Sequence, residues 1–214
     1  MSQLSLVHKS VLTQNPSAPL LFLVHGRAGN VDVMWTFKSY FPKEWNIVSM
    51  QAPLPDPVGG FSWWYVHNEK ITRESIDQGV QKLDFFIDEF IKANNLTPSV
   101  LIAAGFSQGA GCLSSLIQKS PERFKSVALL AGLVIKDQIP NPQLSSTNIR
   151  PNIFMAHGNK DDVIPIQKAI EAKEYLESLK FPVQFVTDDV THKVGTAGMR
   201  GLREFLNQYN PVTG

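Results

Sequence analysis

The stretch Val100-Leu101-Ile102-Ala103-Ala104-Gly105-Phe106-Ser107-Gln108-Gly109 carries an unbroken apolar run into a glycine-flanked serine. A segment that reads as helix, Ala110 to Lys119, follows at once. G-x-S-x-G between a strand and a helix is the pattern of a nucleophile elbow. The serine sits at the tip of a sharp, strained turn, which pushes its hydroxyl outward. The positions two before and two after it lie where strand and helix approach most closely, so Gly105 and Gly109 are required there. A pentapeptide of this kind also arises by chance, so the surrounding pattern has to agree.

It does agree. Upstream, Leu20 to His25 is a continuous apolar run and reads as a buried strand, Val31 to Tyr40 as helix and Asn46 to Met50 as a short strand. Arg73 to Asn95 is the clearest helix, with Ile76, Val80, Leu83, Ile87 and Phe90 on one face. Downstream of the elbow, Ser126 to Ala131, Asn152 to His157 and Val183 to Thr187 read as strands, while Ile166 to Leu179 and Thr196 to Tyr209 read as helices. Buried strands alternating with helices predict an α/β fold with a mainly parallel central sheet and helices on both faces. In such sheets ligands bind beyond the C-terminal strand ends, where the elbow lies.

At 214 residues the chain is expected to form one α/β domain, residues 1–214, with no large cap domain. Its 43% hydrophobic and 18% charged content is that of a globular protein. A formal net charge of +1, without basic or acidic blocks, argues against nucleic-acid partners and against an electrostatic membrane anchor. The single cysteine, Cys112, allows no intrachain disulfide and fits a reducing compartment, hence a cytoplasmic location. The first residues carry no signal-peptide pattern, and no run is apolar enough to span a membrane. No Cys/His cluster at ligand spacing suggests a metal, and no phosphate-cradling glycine motif suggests a nucleotide, so no cofactor is expected.

A serine nucleophile needs a base and an acid. In elbow-type hydrolases these follow in the order serine, acid, histidine. Of His8, His25, His67, His157 and His192, only the last two follow Ser107. His192 lies between the last strand and the last helix, where the base is expected. His157 ends an earlier strand and is read as a brace for the acid loop. That loop, Gly158-Asn159-Lys160-Asp161-Asp162-Val163-Ile164-Pro165, offers two adjacent carboxylates, between which spacing does not choose. Asp188 and Asp189 are read as loop or capping residues. Two backbone N–H groups must stabilise the developing oxyanion. The candidates are Gln108, which starts the elbow helix, and Arg27 in the loop His25-Gly26-Arg27-Ala28-Gly29-Asn30.

Two long loops interrupt the alternation, Ala52 to Glu69 and Leu133 to Pro151. The first holds Phe61, Trp63, Trp64 and Tyr65. Phe61, Trp63 and Trp64 are therefore expected to wall an apolar acyl pocket, a role compatible with an aromatic satellite core. An exposed aromatic segment would also serve as a contact between two copies of the chain, so a homodimer is compatible with the sequence.

Taken together, the His25-Gly26 loop, Ala52-Pro53 through Trp64, Gly105-Phe106-Ser107-Gln108-Gly109, His157-Gly158 through Pro165, and His192 resemble the phospholipase/carboxylesterase family of small α/β-hydrolases, which includes acyl-protein thioesterases. The Phe and Gln inside the elbow are characteristic of that family. The family's acid stands four residues after the histidine of its His-Gly pair, and this register selects Asp161 over Asp162. The resemblance implies a serine carboxylesterase acting on small ester substrates, thioesters or lysophospholipids included, without a cofactor. Two departures stand out: Arg27-Ala28 replaces a small apolar pair, and Thr191 precedes the histidine where a small residue is common.

Overall fold

The computed structural model describes residues 4–66, 71–136 and 149–209. Strands β1 (His8–Val11), β2 (Leu20–Val24) and β3 (Asn46–Met50) come first, with the short helix α1 (Val31–Trp35) between β2 and β3. A two-residue hairpin follows, β4 (Leu54–Pro55) and β5 (Phe61–Ser62), then helix α2 (Arg73–Ala93). Strand β6 (Leu101–Phe106) leads into α3 (Gln108–Lys119), and β7 (Ser126–Leu130) and β8 (Asn152–Gly158) come next. The chain continues through α4 (Ile166–Ser178), β9 (Val183–Asp188) and α5 (Thr196–Asn207).

Seven strands form one sheet in the order β1-β3-β2-β6-β7-β8-β9. All neighbours are parallel except β1, which runs antiparallel along β3. Side chains alternate across a strand, so each strand feeds two cores. Phe22, Val48, Ala103, Val127 and Ile153 face α2, α3 and α4, packing on Leu83, Phe86, Leu113, Ile117 and Leu176. Leu21, Leu23, Ile102, Ala104, Ala128 and Phe154 face the other way, toward Met34 of α1 and Leu202, Phe205 and Leu206 of α5. The expected architecture of a mainly parallel sheet with helices on both faces is therefore the one observed.

The differences are local. Val31 to Tyr40 splits into α1 and a 3₁₀ turn, Thr36–Tyr40, which stops before Pro42, a residue that cannot continue a helix. The chain begins the sheet one strand earlier than the sequence suggests, at β1. The hairpin β4–β5 lies inside the long aromatic loop, and its Phe61 also bridges to Gly29. Residues 67–69 of that loop, His67 included, and 137–148 of the second loop, with Pro140 and Pro142, lie outside the described residues.

The chain moves outward from β2 to β3 and returns to place β6 on the other side of β2. That reversal opens a crevice between the C-terminal ends of β2 and β6. Two glycines let the loops close on it. A Cβ on Gly109 would stand 2.2 Å from the Val24 carbonyl oxygen, and one on Gly26 would stand 3.0 Å from Ser107 Cβ. The first contact is with backbone, which cannot swing aside. Gly109→Ala should therefore destabilise the protein by about 3 kcal/mol, read as a lowered urea midpoint. An unchanged midpoint would contradict this close packing of elbow on β2.

Candidate functional site

Ser107 joins β6 to α3 with φ 51° and ψ −114°, a left-handed backbone that side-chain-bearing residues rarely adopt. Its amide donates to the Leu130 carbonyl at 3.0 Å, and its own carbonyl accepts from Gly111 at 3.1 Å. The turn is thus pinned on both sides, and the hydroxyl stands clear of the sheet.

Three loops converge on that hydroxyl. The loop after β9 brings His192, whose Nε2 lies 3.0 Å from Ser107 Oγ. The loop after β8 brings Asp161, whose Oδ2 lies 2.8 Å from His192 Nδ1. These two loops are stitched together by Asn159 N–H donating to Asp188 O at 2.7 Å and Lys160 N–H to Val190 O at 3.0 Å. Asp161 is buried. Its Oδ1 accepts from the N–H groups of Val163 and Ile164 at 2.9 and 2.8 Å, an Asx-type turn that fixes the carboxylate. Burial opposes the charge on Asp161. The bonds from Ile164, His192 and Val163 outweigh it and hold the carboxyl below its usual pKa. An ionised Oδ2 can only accept, so the His192 proton sits on Nδ1 and the lone pair of Nε2 faces Ser107. The Phe106 ring packs 5.1 Å from the His192 ring, centroid to centroid, and limits its rotation.

His157 takes the bracing position expected of it. Its buried Nε2 donates to Ile164 O at 2.8 Å and stands 3.2 Å from Asp161 Oδ2. Asp162 is exposed. Asp188 caps α5, accepting from Ala197 and Gly198 N–H at 2.9 and 2.6 Å.

The loop after β2 forms the opposite wall. His25 is fully buried; its Nε2 accepts from Ala52 N–H at 2.9 Å, so Nδ1 carries the proton that binds Gly26 O at 2.6 Å. Burial lowers the His25 pKa, only partly offset by the Gly26 bond, so the ring is a neutral strut. Ala28 N–H donates to Ser62 Oγ at 3.2 Å, and Gly29 N–H to Phe61 O at 3.1 Å. Among the described residues no acceptor engages the N–H of Arg27. Gln108 stands first in α3, where a helix N–H has no intrahelical acceptor. Both N–H groups belong to residues that line the same cavity as Ser107 and His192.

That cavity has a volume of about 560 Å³. Trp64 lines it, together with Val33, Val58, Ile71, Leu133, Val163 and Ile164. Trp63 does not: it is fully buried, and its indole N–H donates to His25 O at 2.8 Å. Phe61 is half-buried, bridged to Gly29, and packs against the core on the α2 side. Of the three aromatics singled out in the sequence, the structure thus sets only Trp64 on the cavity wall. Of the four in Phe61 to Tyr65, only Tyr65 is exposed, so the two tryptophans are not free to contact a second copy. The aliphatic rim went unnoticed in the sequence. Its one signal was apolar residues, Val58 and Ile71, in loop surroundings where no core explains them.

The elbow and the aromatic segment are tied by one side chain. Gln108 Oε1 accepts from Trp63 N–H at 3.0 Å, and its Nε2 donates to Trp64 O at 3.2 Å.

A sequence model of the family described as phospholipase/carboxylesterase matches residues 11–210. The chain belongs to this family. It is 28% identical over 115 residues to an acyl-protein thioesterase 1 of Kluyveromyces lactis, a match covering 53% of this chain and 50% of that protein. Its likeness to the Saccharomyces cerevisiae acyl-protein thioesterase 1 is 27% over 109 residues, 51% of this chain and 41% of that one. The matches thus span about half the length of these relatives or less. In three dimensions the chain superposes on a Bacillus cereus carboxylesterase with a TM-score of 0.84 at 19% identity, over 96% of this chain and 95% of that one. At that identity the superposition speaks to the α/β-hydrolase fold. Among the described residues, no helix is long and apolar enough to cross a membrane, and no group of His, Cys, Asp or Glu is arranged to hold a metal ion.

Proposed function

We propose that this protein is a serine carboxylesterase that hydrolyses carboxylic esters, thioesters or lysophospholipids included, through an acyl-enzyme on Ser107. The observation that carries the reading is His192 standing between Ser107 Oγ, at 3.0 Å, and Asp161 Oδ2, at 2.8 Å. His192 Nε2 takes the Ser107 proton as Oγ attacks the ester carbonyl. Asp161 holds the ring in that tautomer and stabilises the imidazolium. The N–H groups of Arg27 and Gln108 receive the negative charge on the carbonyl oxygen, with the positive end of α3 behind Gln108. The alcohol or thiol leaves with the proton from His192. Water, deprotonated by the same nitrogen, then attacks the acyl carbon, releases the acid and returns the proton to Oγ. No step calls on a metal or organic cofactor. Cys112 is buried and unpaired, with its thiol pKa pushed well up by burial, which suits a packing role in a reducing compartment such as the cytoplasm.

A fluorophosphonate probe tests this directly. Its adduct should map to the peptide containing Ser107, and intact protein that resists labelling would overturn the reading. The rim supplies a second test. Val58 and Val163 are 74% and 65% exposed and line the cavity beside Trp64, where an acyl chain would cover them. Along a series of p-nitrophenyl esters, kcat/KM should rise about two- to fourfold per added methylene until the cavity is filled. Activity confined to acetate would refute an extended acyl site.

A further inference from the structure

Apart from His192, Arg27 is the only residue with an ionisable side chain among the described residues lining the cavity. Its guanidinium is held in a specific way. Nε donates to Asp56 Oδ2 at 3.0 Å, and the Asp56 side chain is almost wholly buried while that of Arg27 is 41% exposed. Asp56 is engaged by other donors as well as by Arg27 Nε. Its Oδ2 also accepts from Ser62 Oγ at 2.7 Å, and its Oδ1 from Val58 N–H at 3.1 Å. Burial opposes the charge on Asp56, but the bonds from Arg27, Ser62 and Val58 hold its carboxyl below the usual range, so the anchor stays ionised. The same Ser62 hydroxyl accepts from Ala28 N–H, which ties the clamp to the loop that carries the Arg27 amide.

The two terminal nitrogens of Arg27 make no hydrogen bond among the described residues. A guanidinium fixed through Nε presents its remaining N–H groups as a preoriented fork, the geometry that suits carboxylate and phosphate oxygens. Ordering such a long side chain ordinarily costs entropy on binding; here Asp56 has already ordered it. The fork also lies no farther than one side-chain length from the Arg27 N–H that the proposed mechanism assigns to the oxyanion.

Resting on that mechanism, we infer that Arg27 makes this esterase selective for substrates carrying an anionic group, a carboxylate or a phosphate, a few bonds from the ester carbonyl. The apolar rim takes the hydrocarbon portion, and Arg27 reads the charge beside the scissile bond. Arg27 is a residue that binds substrate twice, through its backbone in the transition state and through its side chain in the ground state as well.

The test compares matched pairs. One arm uses the mono-p-nitrophenyl ester of glutaric acid against its neutral methyl ester; the other uses butanoylglycerol phosphate against butanoylglycerol. In at least one arm, kcat/KM for the anion should exceed that for the neutral partner by roughly tenfold, the scale of one charge-assisted hydrogen bond at a half-exposed site. The preference should shrink as salt is added. Arg27→Gln, which keeps the backbone amide and a donor toward Asp56, should bring the ratio to near one. Equal rates for anion and neutral partner in both arms of the wild type, or a preference that survives Arg27→Gln, would overturn the inference. A merely structural Arg27 would lower both members of a pair together and leave their ratio intact, which also counts against it. Binding to Ser107→Ala protein, titrated with the unreactive mono-anilide of glutaric acid and its methyl ester, reads the carboxylate preference without turnover. Absence of hydrolysis in the wild type would then strike the catalytic reading alone, while equal binding of these two ligands would strike the carboxylate arm.

Discussion

Ser107→Ala should lower kcat/KM for any cleaved ester by about 10⁵- to 10⁶-fold, the loss typical when a serine nucleophile is removed from an intact triad. In the proposed mechanism Oγ is the atom that bonds to substrate, and the one cysteine, Cys112, is buried within α3 and cannot stand in for it. The residual rate would come from the Arg27 and Gln108 amides, which polarise a bound carbonyl for attack by water. Stability should change little. The strained φ of 51° is set by the packing of β6 against α3, so alanine inherits it. The group left unpaired, His192 Nε2, belongs to a side chain that is 19% exposed, and water can replace the lost partner. The expected signature is thus abolished turnover with an unfolding midpoint close to that of the wild type. A fall of less than tenfold would mean that the measured hydrolysis arises elsewhere.

How this site could be read in the sequence, and where reading stopped, follows from the range of the forces involved. The strands beneath the site are predominantly apolar because the sheet is covered on both faces, and that is a local signal. Asn46–Met50 and Ser126–Leu130 are legible for this reason. Strand β1, His-Lys-Ser-Val, is not: it lies at the sheet edge, half-exposed along its length, and its order depends on pairing with β3 some forty residues away. The order of serine, acid and histidine follows from the order of strands, so Ser107 and His192 stand out as candidates in the sequence, and the structure brings them within 3.0 Å of each other. Spacing within the loop does not choose between Asp161 and Asp162; only the register of the resembling family favours Asp161. In the structure Asp161 points inward because its Oδ1 caps the N–H groups of Val163 and Ile164, while Asp162 faces solvent.

Trp63 and Trp64 illustrate a different limit. Adjacent aromatics look alike in a sequence; in the structure only Trp64 lines the cavity, and Gln108 holds the backbone of both. Its amide clamps the N–H of Trp63 and the carbonyl of Trp64 from across the crevice. In the proposed mechanism the same residue offers its own N–H to the oxyanion. One side chain therefore couples the apolar wall to the elbow, which explains why a glutamine with a buried amide is tolerated there: both of its polar atoms are satisfied by backbone. No local pattern in the aromatic loop encodes that contact, because its partner lies some 45 residues later in the chain.

Asp161→Asn should lower kcat about 10⁴-fold through the wrong tautomer of His192. In the wild type an ionised Oδ2 accepts the Nδ1 proton, which leaves Nε2 free to accept from Ser107. An asparagine amide can instead donate to Nδ1. The proton then resides on Nε2, which faces Ser107 as a donor and cannot take its proton. KM should move far less than kcat, since Asp161 does not line the cavity. The same change should leave a thermodynamic trace. The amide nitrogen, if it takes the place of Oδ2, also faces His157 Nε2, itself a donor to Ile164 O, so two donors are opposed in a buried place. At neutral pH the variant should therefore be less stable than the wild type. The wild-type carboxyl titrates below its unfolded value of about 3.9, so the native state binds fewer protons than the unfolded state in that range. Its contribution is fully present above that pH and is lost as pH falls through the folded value. Asparagine has no such proton to gain. The gap in Tm between wild type and Asp161→Asn should accordingly hold steady from pH 7 to about 5 and narrow below about pH 4. A gap that stays constant down to pH 3 would show that Asp161 is not held ionised by the N–H groups of Ile164, Val163 and His192.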